Sequence, residues 1–153
     1  MFYEDNWVSS FQLGLATDAS DLGYGGVFGT KWYMQSFTPA QARLSIASRE
    51  LYAIVVACVI WGPLLSSYLV RFQCDNLAVV SCVNNGSSKC PLIMGLIRKL
   101  FFIAATHDFD VRLSHIPGVD NVGPDLLSRL RLADFRKQYP EADRVGACVP
   151  SLW

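Results

Sequence analysis

The sequence has little charge and none to spare. Charged residues make up 17% of its 153 residues, and 13 Lys plus Arg cancel 13 Asp plus Glu. A neutral balance argues against a protein that holds nucleic acid through a broadly basic surface, because that mode needs excess cations on phosphates. It leaves room for an enzyme that meets phosphates locally. Histidine is scarce, at two residues, and none of the five cysteines stands in a CxxC pair, so no zinc-type ligand spacing is present. The thiols (Cys58, Cys74, Cys82, Cys90 and Cys148) are odd in number, with four in apolar surroundings, and are expected to be reduced and structural.

Long hydrophobic runs are also missing. The longest, Leu51 to Trp61, is eleven residues between Glu50 and Gly62-Pro63, whereas a membrane span needs about 20. It is expected to be a buried core helix, with no membrane partner. The opening Met1-Phe2-Tyr3-Glu4-Asp5 lacks the basic and apolar regions of a secretory signal. The expected location is therefore intracellular, cytoplasmic or nuclear. No internal repeat, low-complexity tract or Gly/Ser/Pro-rich linker divides the chain. With 52% hydrophobic residues, one domain around one core is the expectation.

Periodicity sets the element order. Phe11 to Thr17 alternates as a strand, Tyr24 to Phe28 follows, and Lys31 to Phe37 is a third, aromatic-rich run. Gly29-Thr30 is the right length for a two-residue hairpin turn. The period then becomes helical, with Ser45 and Ser48 as N-cap choices. Tyr68 to Cys74 reads as a strand, Leu77 to Val83 as a short helix and Pro91 to Thr106 as a long one, with Pro91 in its first turn. Phe109 to Ile116 is a fifth strand, ended by Pro117-Gly118. Asp120 to Leu130 is a last helix, with Asn121 as its cap. The order βββ-α-β-α-α-β-α predicts an α/β fold: a mixed five-stranded sheet, three antiparallel strands then parallel additions, with helices on both faces.

The acids fall at the junctions of this order. Asp18 and Asp75 end strands, and carboxyl ends of strands are where open α/β sheets place their sites. Glu50 and Asp125 lie at the starts of helices, Asp125 behind Gly123-Pro124. Each has a plainer reading: Asp18 and Asp75 as caps, Glu50 and Asp125 as first-turn acids favoured by the helix dipole. Together they are a converging oxygen set, and carboxylates beside so much apolar sequence need a partner or a cation. Oxygen donors without a His or Cys cluster select hard cations such as Mg²⁺ or Mn²⁺.

The ordered strings Thr17-Asp18-Ala19-Ser20, Arg49-Glu50-Leu51-Tyr52-Ala53, Cys74-Asp75-Asn76, and His115-Ile116-Pro117-Gly118-Val119-Asp120-Asn121 with Asp125-Leu126-Leu127-Ser128-Arg129 resemble the ribonuclease H domain of retroelement reverse transcriptases. The resemblance is nearest to the DIRS-like, tyrosine-recombinase group. It implies the ribonuclease H fold over residues 11–132, with 1–10 as an N-terminal extension and 133–153 as a C-terminal helix or tail. It further implies a metal-dependent endonuclease that cuts RNA in RNA–DNA hybrids, with two Mg²⁺ or Mn²⁺ ions per site and a neighbouring polymerase domain. Asp18, Glu50, Asp75 and Asp125 fall on the catalytic acid positions. On this reading Asp18 bridges both ions, Glu50 and Asp75 hold one, and Asp125 holds the other. Gly123-Pro124 departs from the small residues usual before the last acid, with Asp120 as the fallback ligand. A non-catalytic binding module of the same fold is the alternative function.

Ser20, Asn76 and Asn121 lie beside the acids and are candidate substrate contacts, or structural caps. His115 reads as a proton shuttle or a packed histidine, and His107 as a partner for a helix C-terminus. Trp32, Tyr33 and Phe37 are expected in the core rather than stacked on bases. The stretch holding Arg129, Arg131, Arg136, Lys137 and Arg144 is the most basic part, either a phosphate contact or a solvated helix face.

Overall fold

A short detour near the N-terminus decides how the strands are divided. In the computed structural model, which describes residues 6–116 and 121–152, the chain forms β1 (Trp7–Ser9) and then leaves the extended path. It turns through residues 11–14 and returns as β2 (Leu15–Ala19). The Leu15 N–H donates to the Ser10 carbonyl at 2.8 Å, which closes the detour, and Gly14 takes the left-handed φ of 72° that it needs. The expected first strand, Phe11 to Thr17, is therefore corrected. Its first half is a turn with Phe11 and Gln12 exposed, and the alternation there has no sheet beneath it.

Two three-stranded sheets result in place of the expected five-stranded one. In the first, β1 pairs parallel with β5 (Leu69–Cys74), and β5 pairs parallel with β6 (Asp110–His115). The second is an antiparallel meander of β2, β3 (Gly23–Phe28) and β4 (Lys31–Ser36). Among the described residues the strands number six, because β1 lies within the segment expected as an extension. The ladder to β5 ends at Ser9 and the ladder to β3 starts at Leu15, so the detour separates what would otherwise be one strand. Gly29, with φ 62°, makes the expected tight turn between β3 and β4.

The helices follow the sequence closely. After a single turn, α1 (Pro39–Ala42), the core helix α2 (Ile46–Trp61) starts at Ser45, whose hydroxyl accepts from the Ser48 N–H at 3.1 Å. With the 3-10 turn Gly62–Leu65 it forms a helical stretch long and apolar enough to cross a membrane, yet most of that stretch is buried inside the fold. Leu51 through Cys58 are all buried, packed between the meander and α4 (Pro91–Thr106). Asn76 caps α3 (Leu77–Asn85) by accepting from the Val79 N–H at 3.1 Å, and Gly86 closes it with φ 71°. The last expected helix is shorter than its pattern suggests: α5 is Val122–Ser128. Asp120 and Pro117-Gly118 lie outside the described residues. Leu130, with φ 61°, turns the chain into α6 (Leu132–Gln138).

A second apolar cluster of Trp32, Leu126, Leu127 and Phe135 holds α5 and α6 on the meander. Trp32, Tyr33 and Phe37 are buried, as expected. The C-terminal segment runs back along β4: Trp32 Nε1 donates to the Asp143 carbonyl at 2.7 Å, and the Ala147 N–H donates to the Trp32 carbonyl at 2.7 Å. It ends with Leu152 buried in the main core and its carbonyl accepting from Lys99 Nζ at 2.7 Å. All five cysteines are free; Cys58 and Cys74 are buried, Cys82 half-buried, and Cys90 and Cys148 exposed. Exposure of the last two corrects the expectation of four apolar surroundings.

Candidate active site

Glycine in β3 is what lets the site close. In the meander Asp18 pairs with Gly25, and a Cβ on Gly25 would lie 2.5 Å from Leu127 Cβ. Only the missing side chain allows α5 to sit this close to the sheet. That seating delivers Asp125, in the first turn of α5, to Asp18 on β2. Glu50 arrives from the second turn of α2, and Asp75 from the residue following β5. All four acids line one cleft of about 630 Å³.

Asp18 is the hub. Its carboxyl is within hydrogen-bonding reach of both Glu50 and Asp125. Two carboxyls can share such a contact only if a proton lies between them. Burial pushes Glu50 up to about 9, and the charges of Asp18 and Asp75 push the same way. Burial likewise raises Asp18 to about 6, with Asp125 and Asp75 adding to it. The Asp18–Glu50 pair therefore holds on to a proton well above the ordinary carboxylate range. Asp75 is exposed at the rim and acts on the pair through its charge. Cys74, next to it, is a buried thiol pushed up to about 12 by burial.

The donor chemistry fits a hard divalent cation. It is all carboxylate oxygen, crowded enough to raise the proton affinity of Asp18 and Glu50 together, and a cation would relieve that repulsion. Among the described residues, however, no group of three Asp, Glu, His or Cys side chains stands ready to hold an ion. Asp18 makes two carboxyl pairs; a closed ligand set is not formed. A cation does sit at the cleft mouth: Arg129 Nε is 3.1 Å from Asp125 Oδ1, an exposed pair within α5 and its cap.

The other residues singled out in sequence occupy these places. Ser20 Oγ donates to the Ser128 carbonyl at 2.7 Å and accepts from the Leu22 and Gly23 N–H groups, so it ties the β2–β3 turn to the end of α5. Asn121 lines the cleft and donates from Nδ2 to the Thr17 carbonyl at 3.2 Å, rather than capping α5 with its side chain. Asn76 is the cap of α3. His115 is exposed, its Nε2 3.2 Å from the Asp75 carbonyl, and it is not part of the cleft wall. The backbone N–H of His107 closes α4 on Ile103, and its ring lies where a side chain on Gly62 would be.

Two further cleft residues have roles that sequence reasoning missed. Arg49 donates from Nη1 to the Ser20 carbonyl at 2.9 Å, while its buried Nε has no partner. Gln73 donates from Nε2 to Ser9 Oγ at 2.9 Å, and its buried Oε1 has none. Arg49 directly precedes Glu50 in the sequence; its direction into the cleft comes only from the helix phase.

No family model matches the chain. Over 133 residues it is 28% identical to the Transposon Tf2-3, Tf2-4 and Tf2-5 polyproteins of Schizosaccharomyces pombe, a match covering 79% of this chain. The chain spans 10% of the length of those relatives. Among solved structures it is similar to the N-terminal RNase H domain of Rv2228c from Mycobacterium tuberculosis, solved as a fusion with maltose-binding protein. That match has a TM-score of 0.53 at 12% identity and covers 81% of this chain and 94% of that one. The chain therefore has the ribonuclease H-like α/β fold, and in sequence it is similar to a segment of transposon polyproteins.

Proposed function

We propose that the chain is a metal-dependent endonuclease that hydrolyses the RNA strand of RNA–DNA hybrids, as the ribonuclease H part of a retroelement reverse transcriptase. One observation carries this reading: Asp18, Glu50, Asp75 and Asp125 line a single cleft, with Asp18 touching both Glu50 and Asp125. A binding module has no use for acids crowded until one must keep its proton. The fold and the transposon relatives agree with it. The DIRS-like affiliation belongs to the proposal and rests on the motif resemblance. An adjacent polymerase domain and an intracellular setting belong to it as well.

Asp18 would be shared between two Mg²⁺ or Mn²⁺ ions, with Glu50 and Asp75 on one and Asp125 on the other. When bound, such a pair activates a water for attack on the phosphodiester and stabilises the leaving 3′ oxygen. The chain's own part is to hold four carboxylates on a rigid frame, since metal sites do not tolerate loose placement. The Asp18–Glu50 pair has to give up its proton, and Asp125 its contact with Arg129, before they can act as full ligands. Asn121 in the cleft wall and Asn76 beside Asp75 are the polar groups offered to a 2′-hydroxyl, whereas the Ser20 hydroxyl is filled by Ser128, Leu22 and Gly23.

The test is cleavage of a labelled hybrid with Mg²⁺, with Mn²⁺ and with excess EDTA. RNA fragments ending in 3′-OH and 5′-phosphate, formed only with metal and lost in Asp18→Asn, are the expected result. Cutting that survives EDTA, or equal cutting of single-stranded RNA, overturns the reading. Tight hybrid binding without any cleavage would favour the non-catalytic module.

A further inference from the structure

The basic C-terminal stretch is not absorbed by the cleft chemistry, and the structure sorts its cations. Arg136 is committed to the fold: its guanidinium lies 5.4 Å from the centre of the Trp32 ring and donates from Nη2 to the Arg144 carbonyl. Arg129 is engaged with Asp125. Arg131 and Lys137 are different. They line a second depression of about 360 Å³ together with Leu126, Asp134 and Gln138, and Leu126 also belongs to the wall of the acid cleft. The two hollows are therefore neighbours across one side chain.

Neither cation is needed to hold α6 in place. The helix is anchored by Phe135, buried against Trp32 with ring centroids 5.7 Å apart. The Arg131–Asp134 pair, at 2.8 Å, leaves both side chains at least half exposed, and such pairs contribute about 0–1 kcal/mol. Among the described residues Lys137 is in no ion pair. The cations of the acid cleft itself are already engaged, Arg49 with the Ser20 carbonyl and Arg129 with Asp125. The link between α3 and α4 carries one cation, Lys89, and Lys99 of α4 is bound to the Leu152 carbonyl. A neutral chain that binds a polyanion has to concentrate its cations where the strand leaves the site.

We propose that the depression carrying Arg131 and Lys137 is a docking site for the sugar-phosphate backbone of the duplex whose cleaved strand lies in the acid cleft. This rests on the functional reading above and adds the surface that holds the substrate. A phosphate entering the depression takes Arg131 from Asp134 and pairs with Lys137. Asp134, an acid in the same wall, opposes it.

The experiment measures binding of an end-labelled RNA–DNA hybrid by fluorescence anisotropy over a KCl series, with Ca²⁺ in place of Mg²⁺. The proteins are wild type, Arg131→Gln/Lys137→Gln, Asp134→Asn and the remote control Arg98→Gln, each checked by thermal melt. The double variant should lose about two from the slope of log K against log salt, and bind roughly tenfold or more weakly at low salt. Its kcat at saturating hybrid should stay at the wild-type value while KM rises. Asp134→Asn should bind more tightly than wild type, and Arg98→Gln should match it. Should the double variant fail to fold, the sign of the Asp134→Asn effect decides. If wild type cleaves hybrid yet these variants keep its Kd and salt slope, the docking site is wrong and the nuclease reading stands. If wild type neither binds nor cleaves hybrid, the nuclease reading fails and the docking site falls with it.

Discussion

The two halves of the strand system supply their acids by different means. In the antiparallel half, Asp18 and Asp125 meet by direct contact, because α5 is packed onto β3 over Gly25. In the parallel half, Asp75 comes off the end of β5, stays exposed and reaches the others through its charge. Glu50, on the core helix between them, feels both. The contact side of the site therefore depends on packing to within a few tenths of an ångström. The charge side depends mainly on the direction of one strand end.

Breaking the contact side should have the largest effect. Gly25→Val places atoms where Leu127 stands, 2.5 Å from its Cβ, and overpacking of this kind costs roughly 1–3 kcal/mol. We expect loss of most of the cooperative melt, or a strongly lowered Tm. Gly95→Ala, where a Cβ meets nothing within 4 Å, should instead raise Tm slightly, since alanine is preferred over glycine within a helix by about 1 kcal/mol. If Gly25→Val melts like wild type, α5 is not seated on β3.

The next effect is a pH dependence of the metal-free protein. The folded-state values of Glu50 and Asp18 lie above their ordinary ones, from 4.5 to about 9 and from 3.8 to about 6. The folded protein therefore holds protons that the unfolded chain has released. Stability from this source is complete below about pH 4, is lost as pH rises, and is gone above about pH 9. Its steepest part is at most about 1.4 kcal/mol per pH unit for one proton. Chemical denaturation from pH 5 to 9 in EDTA should show this decline. Saturating Mg²⁺ or Mn²⁺ should remove much of it. A flat profile in EDTA would mean that the carboxyls are not crowded.

A finer comparison sets Asp18→Asn against Asp75→Asn. Both remove one negative charge at nearly constant volume, so both should melt higher than wild type without metal. Asp18→Asn should gain more, because Asp18 touches two carboxyls and Asp75 none closely enough to share a proton. Wild type should be stabilised by a divalent ion, by about 2.7 kcal/mol at 100 times its dissociation constant. Both variants should gain much less. An equal metal response in wild type and Asp75→Asn would show that Asp75 is outside any shared ion site.

The smallest effects are expected at the caps. Ser45→Ala and Asn76→Ala each remove a side-chain acceptor from a helix start, at about 1 kcal/mol apiece. Asn76→Ala has the added interest of adjoining Asp75. If it lowers hybrid cleavage far beyond its effect on Tm, Asn76 contacts the substrate as well as capping α3.

Several of these features are legible in the amino-acid order alone. Pro91 and the apolar spacing to Thr106 mark α4 to the residue. Alternation in Val70, Phe72 and Cys74 marks β5, and the eleven apolar residues after Glu50 mark a helix buried on most sides. The detour at residues 11–14 is not legible, because Phe11, Leu13 and Leu15 alternate as a strand would and only the bond from Leu15 to Ser10 shows where the ladder breaks. Nor is the role of Gly25, since the glycines around Tyr24 read equally well as turn residues until Leu127 is seen opposite.

By itself, the sequence determined which local elements form and which acids stand at their ends. Those choices depend on caps, turns and hydrophobic period over a few neighbouring residues. Tertiary structure decided what lies within reach of what: Asp18 between Glu50 and Asp125, Arg129 on Asp125, and the C-terminal segment along β4 with Leu152 in the core. These are contacts between residues up to 115 positions apart, as with Trp32 and Ala147. They are set by packing shape, which no local period encodes. The raised proton affinity of Glu50 is of the same kind, because it comes from burial and from charges on other elements.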